Sequence, residues 1–205
     1  SVLMRKIMTQ SSIKLIGLHG PAGCGKDTVA EILCSTQEFR SVSFAEPLID
    51  MLVAGFRVPK HYFTDRNLKE NPTPELCGKS PRQLMQTLGT EWGRNYVDCD
   101  VWVKIADRKI EYLRKLAAAG NAYIEGIVAT DVRFQNEYDY IRNHAGTIWH
   151  IRRPINPNEI NPTHASDKLL KIDTDRDRLI LNDGDIDQLA EKINLILHPT
   201  ITEES

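Results

Sequence analysis

The sequence predicts an α/β protein in which a five-stranded parallel sheet lies between two layers of helices. Short apolar runs alternate with segments of helical periodicity along most of the chain. Parallel strands need long crossover connections, and helical crossovers cover both faces of a sheet. With 205 residues, the chain is long enough for one well-buried domain, which we expect over residues 13–200.

The first predicted strand and helix enclose a glycine-rich turn. Residues 13–19 are an apolar run, residues 20–25 form the turn, and Val29, Ile32 and Leu33 then recur at helical spacing. Strand, turn and helix therefore follow one another without an intervening segment.

The next elements are a strand around Val42 and Phe44 and a helix that starts near Pro47. Residues 56–79 are rich in proline, asparagine and charge, so we expect a surface excursion there. Ser80 and Gln83 match a capping box, and Gly89 is predicted to end the helix that this box starts.

A long helix is predicted after Asp100, with an apolar stripe through Val103, Ala106 and Ile110. Three more strands and two more helices complete the alternation. These are strands at 123–129, 147–151 and 179–181, a helix around Tyr138 and Ile141, and a final helix over 186–197.

Charge and composition exclude several classes of protein. The formal net charge is -2, so no global positive field attracts nucleic acid. The four cysteines form no C-x-x-C pair, which argues against a zinc cluster and a disulfide framework and fits a reducing cytoplasm. No run of eighteen apolar residues occurs. We therefore expect neither a nucleic-acid nor a membrane partner.

Residues 20–26 match the G-x-x-x-x-G-K phosphate loop. Its glycines let backbone amides turn toward phosphate oxygens, Lys26 adds a positive charge, and the following helix points its N-terminus at the same anion. Asp27 replaces the Ser or Thr that usually ligates Mg²⁺. Asp27 could hold Mg²⁺ directly or through water and Thr28 could bind an α-phosphate oxygen, or Asp27 could simply cap the helix.

A second polar group follows the strand at 123–129 and contains Asp131, Arg133 and Glu137. Ligands of open α/β sheets bind beyond the carboxyl ends of the strands, so Asp131 and Arg133 are predicted to lie near Lys26. Arg133 could grip a phosphate with two hydrogen bonds. The alternative is a helix cap at Asp131 with solvated neighbours.

The chain resembles the bacteriophage-type deoxynucleoside monophosphate kinases in five stretches that span nearly all of it after residue 12. They are G-x-x-x-x-G-K-D-T at 20–28, F-A-E-P-L at 44–48, R-Q-L-M-Q-T-L-G-T at 82–90 with Trp102 downstream, Asp131-x-Arg133-x-x-x-Glu137, and Thr163-His164 before Asn182-Asp183-Gly184. The phosphate loop alone is shared by many NTPases. The ordered set is much more specific.

The resemblance implies phosphoryl transfer from ATP, with Mg²⁺, to a deoxynucleoside monophosphate on a three-layer P-loop kinase fold with a lid at about residues 152–177. It implies that Lys26, Arg133 and Asp131 serve catalysis. The implied ATP-binding residues are Gly23, Gly25, Lys26, Asp27, Thr28 and Val29, with Asp27 toward the metal. The implied acceptor-binding residues are Leu48, Ile49, Arg82, Gln83, Gly89, Trp102, Asp131, Arg133, Glu137 and Thr163.

The sequence leaves several interpretations open. Ile49 stands where relatives often carry a lysine, and Trp102 near a helix start is more often a core residue than a base-stacking one. Arg82 could be a solvated first-turn residue, and the lid could be a mixed charged surface. The rival functions are a P-loop kinase for another small metabolite and a nucleotide-switch ATPase. The sequence fixes neither the accepted base nor the oligomeric state, and a homodimer is compatible with it.

Overall fold

Five strands form one sheet in the order β2-β3-β1-β4-β5. β1 pairs in parallel with β3 and β4, and β4 pairs in parallel with β5. The predicted five-stranded parallel sheet is therefore confirmed. The strands are β1 (Lys14–His19), β2 (Phe39–Val42), β3 (Gly126–Ala129), β4 (Thr147–Arg152) and β5 (Arg178–Leu181).

The computed structural model describes residues 13–154, 173 and 175–199. The helices are α1 (Lys26–Thr36), α2 (Glu46–Phe56), α3 (His61–Thr64), α4 (Pro81–Gln86), α5 (Val101–Ala118), α6 (Gln135–Asn143) and α7 (Ile186–Leu197). A 3₁₀ turn covers Pro74–Leu76, and a π-helix covers Thr87–Val97. The chain groups into two compact units: residues up to Ser41 together with those from Tyr112, and Val42–Glu111. The single-domain organisation over 13–200 stays a prediction.

In the first unit, helices cover both faces of the sheet. Ile16 and Leu18 of β1 point into a core that α1 and α7 complete with Val29 and Ile193. A Cβ added to Gly17, the residue between them, would touch Val132 and Ile141 and Ile148, which lie on the opposite face with α6. The alternation of β1 side chains thus separates the two helical layers, as predicted.

The second unit has its own apolar core, and one boundary prediction is wrong there. Gly89 does not end a helix, because α4 runs directly into the π-helix. A Cβ on Gly89 would lie 2.7 Å from the Leu48 side chain, and a Cβ on Gly93 would lie 2.6 Å from the Trp102 ring. Both glycines therefore serve close packing instead of helix termination.

Three other predictions from the sequence need adjustment. β2 begins at Phe39 and ends before Phe44. The surface excursion 56–79 contains α3 and the 3₁₀ turn. Asp131 caps no helix, since α6 begins at Gln135. The capping box at Ser80 is confirmed by hydrogen bonds in both directions with Gln83.

Thr163 and most of the predicted lid lie outside the described residues. Within those residues, no helix combines the length and apolarity needed to cross a membrane. The four cysteines are free thiols, as expected from their spacing.

Candidate active site

The phosphate loop connects β1 to α1 and has the backbone conformation that its glycines predict. Gly23 and Gly25 have φ values of 82° and 105°, which side-chain-bearing residues rarely adopt. Gly25 is also the N-cap of α1, and the Val29 amide donates to its carbonyl at 3.0 Å. As a glycine, this N-cap has no side chain that could cap the first amides of α1, and the helix dipole favours an anion at this end of the helix.

Lys26 lies against its own loop. Its Nζ donates to the carbonyl oxygens of Gly20 at 2.7 Å and Pro21 at 2.8 Å. These contacts hold a positive charge against the phosphate loop. A phosphate group that enters the loop would compete for the same ammonium group with a full negative charge.

Asn182 supports the loop from the end of β5. Its Nδ2 donates to the Cys24 carbonyl at 3.0 Å, and both residues are buried. A Cβ on Gly25 would collide with the same Nδ2 atom. The asparagine therefore fixes the loop backbone and leaves room only for glycine at position 25.

Asp27 and Thr28 offer oxygen ligands in the first turn of α1. Asp27 is exposed, and among residues 13–154, 173 and 175–199 its carboxylate has no hydrogen-bond or salt-bridge partner. Thr28 is half-buried and Val29 is fully buried. A free carboxylate beside a hydroxyl is a donor set that Mg²⁺ accepts, so the residues present fit this ion.

The segment from Asp131 to Arg133 follows β3 and is tied to the end of β1. The Val132 amide donates to the Leu18 carbonyl at 3.1 Å, and His19 Nδ1 lies 3.0 Å from the Val132 carbonyl oxygen. These contacts place the segment beside the phosphate loop, which begins one residue after His19. Asp131 is half-buried and Arg133 is exposed.

Glu137 shapes the same segment from the first turn of α6. Its Oε2 accepts from the Arg133 amide at 2.8 Å and from the Phe134 amide at 3.1 Å, and the residue is 2% exposed. A buried carboxylate at a helix N-terminus is favoured by the helix dipole. Glu137 therefore positions the Arg133 backbone, and a direct contact of Glu137 with substrate stays a prediction.

Behind these residues lies a buried polar cluster. His19 and His150 are opposite each other in the β1–β4 register, and their rings meet edge to face with centroids 5.3 Å apart. His150 Nε2 lies 3.3 Å from Asp177 Oδ2, and Arg142 Nη2 donates to Asp177 Oδ1 at 2.6 Å. Tyr138 also donates to Asp177.

Burial sets the charge states in this cluster. Burial lowers the pKa of His19 below its ordinary value, the Val132 hydrogen bond opposes this, and the charges of His150, Arg152 and Lys26 lower it further. Burial likewise lowers the pKa of His150, although Asp177 opposes it. Burial works to raise the pKa of Asp177, yet its hydrogen bonds and the Arg142 charge bring it below the usual value. Both histidines are therefore neutral at neutral pH.

Four of the predicted acceptor residues in the second unit are buried. Leu48 and Ile49 pack in one cluster with Trp102. Trp102 is 2% exposed, and its Nε1 donates to the Gly89 carbonyl at 2.8 Å. Trp102 is thus packed in the core, which was one of the two alternatives that the sequence left open. Contact of these four residues with an acceptor stays a prediction.

Arg82 and Gln83 lie in the first turn of α4. Arg82 Nε forms a salt bridge with Glu70 at 2.5 Å, and its amide donates to the Lys69 carbonyl. The Gln83 side-chain oxygen accepts from the Ser80 amide at 3.0 Å. Arg82 is therefore held in place and half-buried, and its role toward an anion stays a prediction.

Sequence reasoning missed His19 and the role of Asn182. His19 stands directly before Gly20 at the end of an apolar run, which is a signal for a residue beside the loop. Asn182 was visible in the Asn182-Asp183-Gly184 motif just after a strand, but its partner, 158 residues earlier in the chain, was not. Neither contact could be read from local spacing.

The sheet order and the loop conformation define a P-loop protein. The family model for deoxynucleotide monophosphate kinase matches residues 75–193. The chain belongs to this family, as the resemblance implied.

Similar curated proteins agree with the family assignment. The chain is 30% identical over 183 residues to a putative deoxynucleotide monophosphate kinase of Acanthamoeba polyphaga mimivirus, a match that covers 87% of this chain and 93% of that protein. It is 36% identical over 114 residues to deoxynucleotide monophosphate kinase of Enterobacteria phage T4, which covers 56% of this chain and 44% of that protein. It is 27% identical over 187 residues to deoxynucleoside-5'-monophosphate kinase of Escherichia phage T5, over 62% of this chain and 71% of that protein.

Proposed function

We propose that this chain transfers the γ-phosphoryl group of ATP to a deoxynucleoside 5'-monophosphate and releases the diphosphate and ADP. The observation that carries the proposal is that the phosphate loop and the Arg133 segment meet at the carboxyl end of β1. The phosphate loop follows β1, and the Arg133 segment is hydrogen-bonded to the last two residues of β1. Family membership supplies the substrate class.

The donor side rests on the loop and on Lys26. Loop amides and the N-terminus of α1 would bind the phosphates of ATP. Their main-chain groups belong to residues that include Gly23, Gly25, Thr28 and Val29. Lys26 would leave the Gly20 and Pro21 carbonyls and neutralise charge on the β- and γ-phosphates. Phosphoryl transfer depends mainly on positioning and on charge stabilisation, which these groups provide.

Mg²⁺ would be held by Asp27 and would supply charge neutralisation at the phosphate oxygens. The Asp27 carboxylate is exposed and faces no partner among the described residues, so it is available for that role directly or through water. Thr28 would bind a phosphate oxygen or support the ion.

The acceptor side rests on Arg133, whose side chain is exposed and has no hydrogen bond or salt bridge within the part of the chain that the structure describes. An unpaired guanidinium can bind the acceptor phosphate with two hydrogen bonds. Asp131 would orient the acceptor or a bound water, and Glu137 would hold the Arg133 backbone. From the family resemblance alone, Leu48, Ile49, Arg82, Gln83, Gly89, Trp102 and Thr163 are further proposed acceptor-binding residues.

The proposed location follows from the proposed substrates alone. ATP and deoxynucleotides are found in the cytoplasm, which would be that of the host if the chain is phage-encoded. No nucleic-acid or membrane partner is needed for the reaction, and a homodimer is compatible with it.

A coupled assay of ADP release across deoxy- and ribonucleoside monophosphates tests the proposal. We expect ADP release to depend on a deoxynucleoside monophosphate, and Lys26→Ala to abolish it while the melting temperature stays unchanged. Lys104→Ala is the matched control, because Lys104 is 59% exposed and pairs with Asp98. Retained turnover in Lys26→Ala would remove the phosphate loop from the mechanism.

The same assay separates the rival functions. A nucleotide-switch ATPase would release ADP with no acceptor present. A kinase for another small metabolite would stay inactive with every nucleoside monophosphate and respond to a wider acceptor panel.

A further inference from the structure

His19 and Val132 form a contact between the two proposed phosphate sites. His19 is the last residue of β1, so the phosphate loop begins at the next position. Val132 lies between Asp131 and Arg133 and is 1% exposed. His19 Nδ1 and the Val132 carbonyl oxygen are 3.0 Å apart, and His19 itself is 7% exposed. One side chain therefore bridges the donor loop and the acceptor segment.

The proton on His19 can be assigned from its partner. A carbonyl oxygen only accepts, so Nδ1 must carry the hydrogen and donate it. On His150, the Asp177 carboxylate lies at Nε2, so the hydrogen is on Nε2 there. The two histidines hold opposite tautomers, and only His19 is bonded to the acceptor segment.

Loss of the His19 donor would leave the Val132 carbonyl buried without its partner. A buried carbonyl without a hydrogen bond raises the free energy of the folded state, so the backbone is expected to shift until water or another donor reaches the oxygen. The Val132 amide would still donate to Leu18 and the Arg133 amide to Glu137, so the segment would stay attached. The peptide group between Val132 and Arg133 would tilt within these two bonds, and the Arg133 side chain would move with it.

We propose that His19 is a positioning residue that sets Arg133 relative to the phosphate loop through the Val132 carbonyl. This inference rests on the proposed function, in which Arg133 binds the acceptor phosphate. His19 would thus affect the binding of the acceptor without contacting either nucleotide. The donor site keeps its own supports, Asn182 and the loop glycines.

The test is steady-state kinetics of deoxynucleoside monophosphate phosphorylation by four variants. His19→Leu removes the donor at similar volume, and we expect a roughly tenfold rise in the KM for the acceptor, with the KM for ATP within about threefold of wild type. His19→Asn keeps an N–H close to the Nδ1 position and should restore the acceptor KM. His19→Gln, which places its amide near the Nε2 position instead, should not.

His150→Phe is the matched control. It keeps a ring against His19 but removes the contact with Asp177, so it should lower the melting temperature and leave the acceptor KM unchanged. If His19→Leu does not fold, the comparison of His19→Asn with His19→Gln decides. Equal acceptor KM values for that pair overturn the proposal, as does an equal rise in both substrate KM values. A wild-type enzyme that transfers no phosphate to deoxynucleoside monophosphates would overturn the proposed function, and this inference with it.

Discussion

Gly25→Ala is the substitution that most sharply separates a functional phosphate loop from an ordinary turn. Gly25 has a φ of 105°, and an added Cβ would collide with Asn182 Nδ2. An alanine at positive φ costs about 1–2 kcal/mol. Displacement of Asn182 would also break its hydrogen bond to the Cys24 carbonyl, a loss of about 0.5–1.5 kcal/mol.

The two effects together lower the free energy of unfolding by roughly 1.5–3.5 kcal/mol. For a chain of this length, the melting temperature should fall by about 3–14 °C. Because the same backbone amides would bind ATP, the KM for ATP should rise at least about tenfold while the acceptor KM changes less.

Gly120→Ala is the control for backbone strain. Gly120 has a φ of 69°, and nothing lies within 4 Å of an added Cβ. This variant should lose only about 1–2 kcal/mol and keep wild-type kinetics. Thermal unfolding and ADP-release kinetics measure both quantities. A Gly25→Ala enzyme with the stability of Gly120→Ala and an unchanged KM for ATP would refute the assigned loop geometry.

Three further predictions address the packing behind the site. Asp177→Asn leaves Arg142 without its buried counter-charge and should lower the free energy of unfolding, measured in urea, by about 3–5 kcal/mol. Asp183→Asn breaks an exposed pair with Lys192 and should change the free energy of unfolding little. The two buried histidines should not affect the free energy of unfolding above the ordinary histidine pKa of 6.5, and should lower it as the pH drops below 6.5. The reason is that the unfolded chain then takes up protons that His19 and His150 resist in the folded protein. Urea titrations at about pH 7.5 and 5.5 check this, and the drop must be smaller in His150→Phe. Gly93→Ala places a Cβ 2.6 Å from the buried Trp102 ring and should destabilise the folded protein by about 1–3 kcal/mol. Gly55→Ala adds its Cβ to open space in α2 and should stabilise the folded protein by about 0.5–1 kcal/mol. Equal melting temperatures of these two variants would contradict the packing of Gly93 against Trp102.

Much of the fold could be predicted because local patterns decide it. The alternation of apolar runs and helical periodicity predicted the sheet, and α7 has the predicted bounds 186–197. The capping box at Ser80 was visible because both of its partners lie three residues apart. The helix end predicted at Gly89 is wrong because a glycine that ends a helix and a glycine that admits a neighbouring side chain look the same in sequence.

The candidate site could be predicted only where its residues lie in one segment. The phosphate loop is such a segment, and its conformation agrees with its glycines. The Asn182 bond to Cys24 and the His19 bond to Val132 join residues 158 and 113 positions apart. Such contacts depend on the strand order, in which β1 lies between β3 and β4. No spacing rule within one segment could supply that order.

The proposed reaction requires the direct passage of a phosphoryl group from ATP to the acceptor. Incubation with ATP labelled in its γ-phosphate and an unlabelled deoxynucleoside monophosphate, followed by separation of the products, measures this passage. We expect the label in the deoxynucleoside diphosphate, in equal amount to the ADP formed. Label recovered as inorganic phosphate, with the monophosphate unchanged, would contradict the account.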